Sequence, residues 1–149
     1  MKFPAIAVAA TALFAAPAFA DGHATGDAAE GENVFKKCRS CHMIVADDGT
    51  EIQKGGRTGP NLYGIYQRVP GSVEDYRYGD SLASISEEGL MPDGWVEEEF
   101  VVYVADPKAW LETKVEGNAR SKMSYKLRDE QEAKDIWAYL VSVGPAPES

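Results

Sequence analysis

Soft metal ligands are scarce in this chain, which has two cysteines and two histidines in 149 residues. A structural zinc site needs four nitrogen or sulfur donors close together. Cys38, Cys41 and His42 supply three, and His23 lies far toward the N-terminus, so that class is excluded. Basic residues are also short. Lys and Arg total 15 against 24 Asp and Glu, for a net charge of -9, a balance that argues against nucleic acid as a partner. There is no internal repeat and no constellation of catalytic acid, base and nucleophile. An enzyme with a small-molecule substrate is therefore not expected.

Long apolar runs are missing too, apart from one at the N-terminus. Residues 1–20 combine Lys2, an Ala-rich apolar span from Phe3 to Ala16 and a small-x-small site, Ala18-Phe19-Ala20, before Asp21. That is the pattern of a cleavable secretory signal peptide. A membrane anchor would want about 20 strongly apolar residues, and Pro4 and Pro17 interrupt this stretch. The expectation is an exported protein of the periplasm whose mature domain is 21–149, carrying a charge of -10 once Lys2 is removed.

What the chain does contain is Cys38-Arg39-Ser40-Cys41-His42, the Cys-x-x-Cys-His signature of c-type haem attachment. Residues three and four apart share a helix face, so two thiols and an imidazole can meet one porphyrin. Cys38 and Cys41 would add to the haem vinyl groups as thioethers, and a ring nitrogen of His42 would ligate the iron. A thioredoxin-like redox pair is the rival reading, but it gives His42 no necessary role. Attachment outside the cytoplasmic membrane agrees with the leader. So small a domain makes only a modest core of its own, so the apoprotein is expected to be poorly folded.

The coarse reading is all-α. A first helix is expected from about Ala28 into the haem motif, with Asp27 and Glu30 at capping-box spacing and Gly31, Val34, Phe35 and Cys38 on one face. A last helix is expected from about Asp129 to Ser142, opened by Asp129 and Glu132 and stopped by Gly144-Pro145. The two should cross, with Gly31 allowing close approach. Between them, 43–72 reads as loop, a helix fits Val96 to Ala105, and Asp106-Pro107 caps a short helix reaching Leu111. Residues 112–128 read as irregular.

Function then turns on the second iron ligand. His23 sits in a Gly-rich tail, Met43 adjoins the proximal ligand, and Met91 precedes Pro92. Met123 lies between helical segments about 80 residues beyond the haem motif, free to approach the far face, and is favoured on spacing over core filling.

Residues 26–35, the haem motif, Arg-Thr-Gly-Pro-Asn-Leu-Tyr-Gly (57–64), Tyr103 followed by Asp106-Pro107, Ser-Lys-Met-Ser-Tyr-Lys-Leu (121–127) and Asp-Ile-Trp-Ala-Tyr-Leu (135–140) stand in this order along the chain. With these landmarks the sequence resembles the class I cytochromes c, in particular the bacterial cytochrome c2 and c550 type. The resemblance implies an all-α class I cytochrome c fold with crossed terminal helices and short helices and loops around one haem. It implies one covalently bound haem c with iron ligated by His42 and Met123, and a Pro60 carbonyl that accepts the other imidazole N–H. Arg68, Tyr78 and Trp95 match residues that serve the haem propionates, and Tyr103 matches a tyrosine near the methionine sulfur. Gly31, Phe35, Ile136 and Tyr139 match the helix crossing. Longer loops at 44–56 and before Met123, and Tyr125 where phenylalanine is frequent, depart from the shorter mitochondrial type.

The implied function is a monomeric, monohaem single-electron carrier of the respiratory chain. Its donor would be the cytochrome bc complex and its acceptor a cytochrome c oxidase or photosynthetic reaction centre. The alternative is a haem enzyme or sensor with a labile sixth ligand. Charge placement bears on docking: apart from Lys2, 12 of 14 basic residues fall in 36–39, 52–68 and 106–128, with only three acids there. Lys36, Lys37, Arg39, Lys54, Arg57, Lys108, Lys114, Lys122 and Lys126 are expected to ring the haem edge as a basic patch for those complexes.

Overall fold

The computed structural model describes residues 24–145; the leader and His23 lie outside them. In chain order the elements are α1 (Ala28–Val34), a 3-10 turn (Phe35–Lys37), β1 (Ile44–Val45), β2 (Glu51–Gln53), α2 (Asp80–Glu87), α3 (Glu97–Ala105), α4 (Pro107–Lys114) and α5 (Glu130–Val143). The expected all-α class holds, since the two strands form only a small antiparallel hairpin.

Helix α1 starts where expected because the Asp27 carboxylate accepts from the Ala29 and Glu30 amides, satisfying N–H groups that lack intrahelical partners. The expected capping box closes differently. The Asp27 amide donates to Asp135 on α5 at 2.8 Å, so the reciprocal bond comes from the neighbouring helix. Asp129 caps α5 through the Glu132 amide. Glu132 itself turns to Lys37, with Nζ 2.6 Å from its carboxylate.

The crossing of α1 and α5 is set by glycine. A Cβ on Gly31 would stand 1.9 Å from the Asp135 carbonyl oxygen and 2.8 Å from Tyr139 Cβ. Just below, Phe35 is fully buried and packs on Tyr139 with ring centroids 5.8 Å apart. Ile136, Trp137 and Leu140 of α5 are also buried, and Phe100 of α3 lies against Trp137 at 5.3 Å. The terminal helices thus clasp each other and one face of the core.

Two local expectations need correction, and one helix, α2, had no sequence expectation. The stretch 43–72 contains the β1–β2 hairpin, whose strands of two and three residues are too short to show a period-two pattern. Helix α2 has only Ile85 fully buried, which leaves little apolar periodicity to read. Helix α4 runs on to Lys114, because Lys108 with Glu112 supports its exposed side and the Thr113 hydroxyl donates to the Trp110 carbonyl. Asp106 and Pro107 do cap it as expected, with the Asp106 carboxylate accepting from the Ala109 amide.

Candidate functional site

The haem motif follows the 3-10 turn, and the Cys41 and His42 amides both donate back to the Cys38 carbonyl. This winding brings all three side chains to the wall of a cavity of about 240 Å³. Cys38 is half-buried and Cys41 exposed, and both thiols are free. Burial pushes the Cys38 thiol up to about 11. Hydrogen bonds from the Thr58 and Ser40 hydroxyls hold Cys41 below the usual thiol range.

His42 Nδ1 lies 2.8 Å from the Pro60 carbonyl oxygen. A carbonyl only accepts, so Nδ1 carries the proton and Nε2 keeps its lone pair. Burial pushes the imidazole below its ordinary pKa, against the opposing effect of the Pro60 bond, which keeps the ring neutral as a ligand must be. Gly59 makes this possible: a Cβ there would come within 2.3 Å of the His42 ring. Sequence reasoning missed Gly59, although it adjoins Pro60 in the stretch that carries the resemblance.

The remaining candidates reach the same cavity from distant parts of the chain. Its wall includes Pro60, Arg68, Tyr78, Trp95, Tyr103 and Met123 together with Cys38, Cys41 and His42. Met91 is buried in the core outside that wall. Apolar faces from Leu62, Ile65, Leu82, Phe100, Leu111 and Ile136 complete it.

Trp95 is placed by a short parallel bridge to the 65–68 segment, where the Gln67 amide donates to the Trp95 carbonyl and the Trp95 amide to the Arg68 carbonyl. Among the described residues its indole N–H has no partner, which leaves a donor for a ligand in the cavity. The Arg68 guanidinium donates to the Tyr63 carbonyl at 2.7 Å and the Asn61 carbonyl at 3.0 Å. Its further N–H groups remain for an anionic group. Asn61, a second residue that sequence reasoning passed over, ties the loop together by accepting from the Val45 amide and donating to the Val45 carbonyl.

Met123 sits in a turn closed by Ser121, whose hydroxyl donates to the Met123 carbonyl and accepts from its amide. Tyr103 is buried beside this turn. Burial pushes its phenol up to about 12, partly offset by a hydrogen bond with the Ser121 side chain. Ser121 was the third residue missed, because a serine two before a methionine carries no signal of its own.

Two thiols, a neutral imidazole with a free Nε2 and a thioether, all on the wall of one mostly apolar cavity, fit haem c. No family model matches the chain. The chain is 51% identical over 137 residues to cytochrome c-551 of Roseobacter denitrificans, covering 91% of each. To cytochrome c2 of Fuscovulum blasticum it is 50% identical over 125 residues, 83% of this chain and 77% of that one. The chain belongs to the cytochrome c2 family. Among solved structures, ferric cytochrome c-550 of Paracoccus versutus matches with a TM-score of 0.74 at 46% identity, over 81% of this chain and 100% of that one. Cytochrome c2 of Rhodobacter sphaeroides matches with a TM-score of 0.76 at 40% identity, over 83% and 100%. As a member of that family the protein is a haem protein of electron transport.

The expected basic patch is less free than its sequence suggests. Lys37, Lys108, Lys114 and Lys126 pair with Glu132, Glu112, Glu99 and Asp106, and Lys122 donates to the Arg77 carbonyl. Among the described residues, Lys36, Arg39, Lys54 and Arg57 have no ion pair.

Proposed function

We propose that Cys38 and Cys41 hold one haem c by thioethers, that His42 Nε2 and the Met123 sulfur ligate its iron, and that the protein shuttles single electrons in the periplasm. The observation that carries this reading is that His42 and Met123, 81 positions apart in the sequence, line one cavity with both thiols. The haem supplies a one-electron couple, and methionine ligation raises its potential.

The chain's part is to keep geometry constant between the two oxidation states. Pro60 fixes the His42 ring and its basicity. Ser121 fixes the Met123 backbone. Arg68, Tyr78 and Trp95 offer donors to the propionates, and Tyr103 stands by the methionine. Two protein ligands would leave no open position at rest, which favours a carrier over the alternative of a peroxidase or gas sensor.

Residues 1–20 act as the leader, and 21–149 form the monomeric mature cytochrome c domain. Donor and acceptor are the cytochrome bc complex and a terminal oxidase or reaction centre. Docking rests on the unpaired lobe, Lys36, Arg39, Lys54 and Arg57, with Lys122 at the cavity wall.

The purified protein should weigh its chain from Asp21 plus one haem, and Cys41→Ser should lose one thioether. Two alkylatable thiols in the native protein would end this reading. Reversing Lys54 and Lys122 to glutamate should slow electron transfer to the partner at low salt and converge with wild type as salt rises, since such charges are screened over about 8 Å at physiological ionic strength. A rate indifferent to both changes would move docking elsewhere.

A further inference from the structure

Behind the cavity wall the aromatic contacts continue. Trp95 and Tyr103 line the cavity, and Trp110 stands outside it. Trp95 and Trp110 are stacked, with centroids 5.1 Å apart and planes 22° from parallel. Tyr103 touches both, at 5.0 Å and 5.2 Å. Three oxidisable rings are therefore in mutual contact, and they lead from the cavity to a particular polar end.

That end is Glu99. Trp110 is only 2% exposed, yet its indole N–H donates to Glu99 Oε2 at 2.6 Å, and Lys114 Nζ donates to Glu99 Oε1 at 2.6 Å. The side chains of Glu99 and Lys114 are 30% and 24% exposed, so the chain of contacts ends at water. Packing explains the stack of rings. It does not require an ionised carboxylate on the nitrogen of a buried indole.

One-electron oxidation makes an indole N–H strongly acidic, and a base at hydrogen-bond distance can then take the proton. Trp110 has such a base in Glu99 Oε2, outside the cavity wall. The Lys114 ammonium, 5.3 Å from the Trp110 ring centroid, disfavours a positive charge on the ring. Electron loss and proton loss at Trp110 are thereby coupled.

We propose that Trp95, Tyr103 and Trp110 form a relay that draws oxidising equivalents away from the haem when the protein meets peroxide, with Trp110 as terminal donor and Glu99 as its proton acceptor. The proposal rests on the reading that haem fills the cavity. Hydrogen peroxide accepts two electrons and two solvent protons to give two waters; Trp110 supplies one electron and the haem the other. The Trp110 N–H bond breaks, its proton passes to Glu99 Oε2, and a neutral indolyl radical remains beside a neutral carboxylic acid. A thiol or ascorbate-class reductant in solution returns both electrons, one to Trp110 and one to the haem, and the proton moves from Glu99 back to the indole nitrogen.

The test uses ferric holoprotein, its haem content first checked by mass, mixed with hydrogen peroxide and freeze-quenched for electron paramagnetic resonance. Samples grown with ring-deuterated tryptophan identify an indolyl signal. The signal should be present in wild type, absent in Trp110→Phe, and several-fold weaker in Glu99→Gln, whose haem absorbance should bleach several-fold faster. Both variants should show the wild-type haem spectrum before peroxide is added; if Trp110→Phe does not, Glu99→Gln alone decides. Protein without haem would overturn the site reading and the relay together. Haem-loaded wild type without a deuterium-sensitive signal, or Glu99→Gln with unchanged signal and bleaching, would overturn the relay alone.

Discussion

Gly31→Ala tests the helix crossing that the whole site hangs from. The new methyl would lie 1.9 Å from the Asp135 carbonyl oxygen, 2.5 Å from its carbon and 2.8 Å from Tyr139 Cβ, where ordinary contact begins near 3.4 Å. Two of those atoms are backbone, so no rotamer change relieves the clash, and α1 must move from α5 by roughly 1.5 Å. Overpacking of this kind costs about 1–3 kcal/mol. The upper end applies here, since the same shift loosens the Phe35–Tyr139 contact and the Asp27–Asp135 bond. Alanine recovers about 1 kcal/mol of helix propensity over glycine, leaving a net loss of about 2 kcal/mol. For a domain of this size that is a fall in Tm of about 8 °C. Thermal unfolding of the holoprotein followed by circular dichroism measures it. Asn33→Ala, on the exposed side of α1, serves as the control and should leave Tm nearly unchanged. A Gly31→Ala protein melting within about 2 °C of wild type would show that contact between the helices does not constrain that position, and the argument from the missing side chain would fail.

Met123→Ala should open the iron to imidazole or carbon monoxide and lower the reduction potential, while Met91→Ala, a core change, should cost about 2–5 kcal/mol of stability and keep the low-spin spectrum; the reverse pattern would mean the wrong sulfur was chosen. Tyr103→Phe should flatten the alkaline limb of stability. A phenol raised to about 12 in the folded state favours folding fully below pH about 10 and loses that contribution as pH rises toward 12, so melts at stepped pH should show wild type falling faster than the variant. Glu99→Gln should act at the opposite end: burial pushes Glu99 up, but hydrogen bonds from Lys114 and Trp110 prevail and hold it below 4.5. Its stabilisation is present above the unfolded pKa and lost as pH falls through the folded one, so the stability gap between wild type and variant should close in acid. A gap constant with pH would mean the ion pair contributes nothing.

The residues with strong local chemistry were legible from the sequence. Cys38, Cys41 and His42 declare themselves by spacing, and Asp27, Asp106 and Asp129 mark helix starts because a carboxylate that satisfies free amides works locally. Gly31, Val34 and Phe35 show their shared face through the helical period. What depends on contacts across the chain was not legible. Gly59 matters only because His42 packs on it from 17 positions away, and Ser121 only because its turn happens to hold Met123. The partners of Lys37, Lys114 and Lys126 lie 95, 15 and 20 positions off, so charge counting along the chain saw a free basic patch where the fold places ion pairs. The capping box of α1 likewise closes through Asp135, 108 positions on. Sequence by itself determined which chemistry the protein carries, because that chemistry is written in neighbouring residues. Tertiary structure alone decided which groups remain free to use it, because hydrogen bonds, burial and ion pairing are settled by whichever distant atoms the packed chain brings within reach.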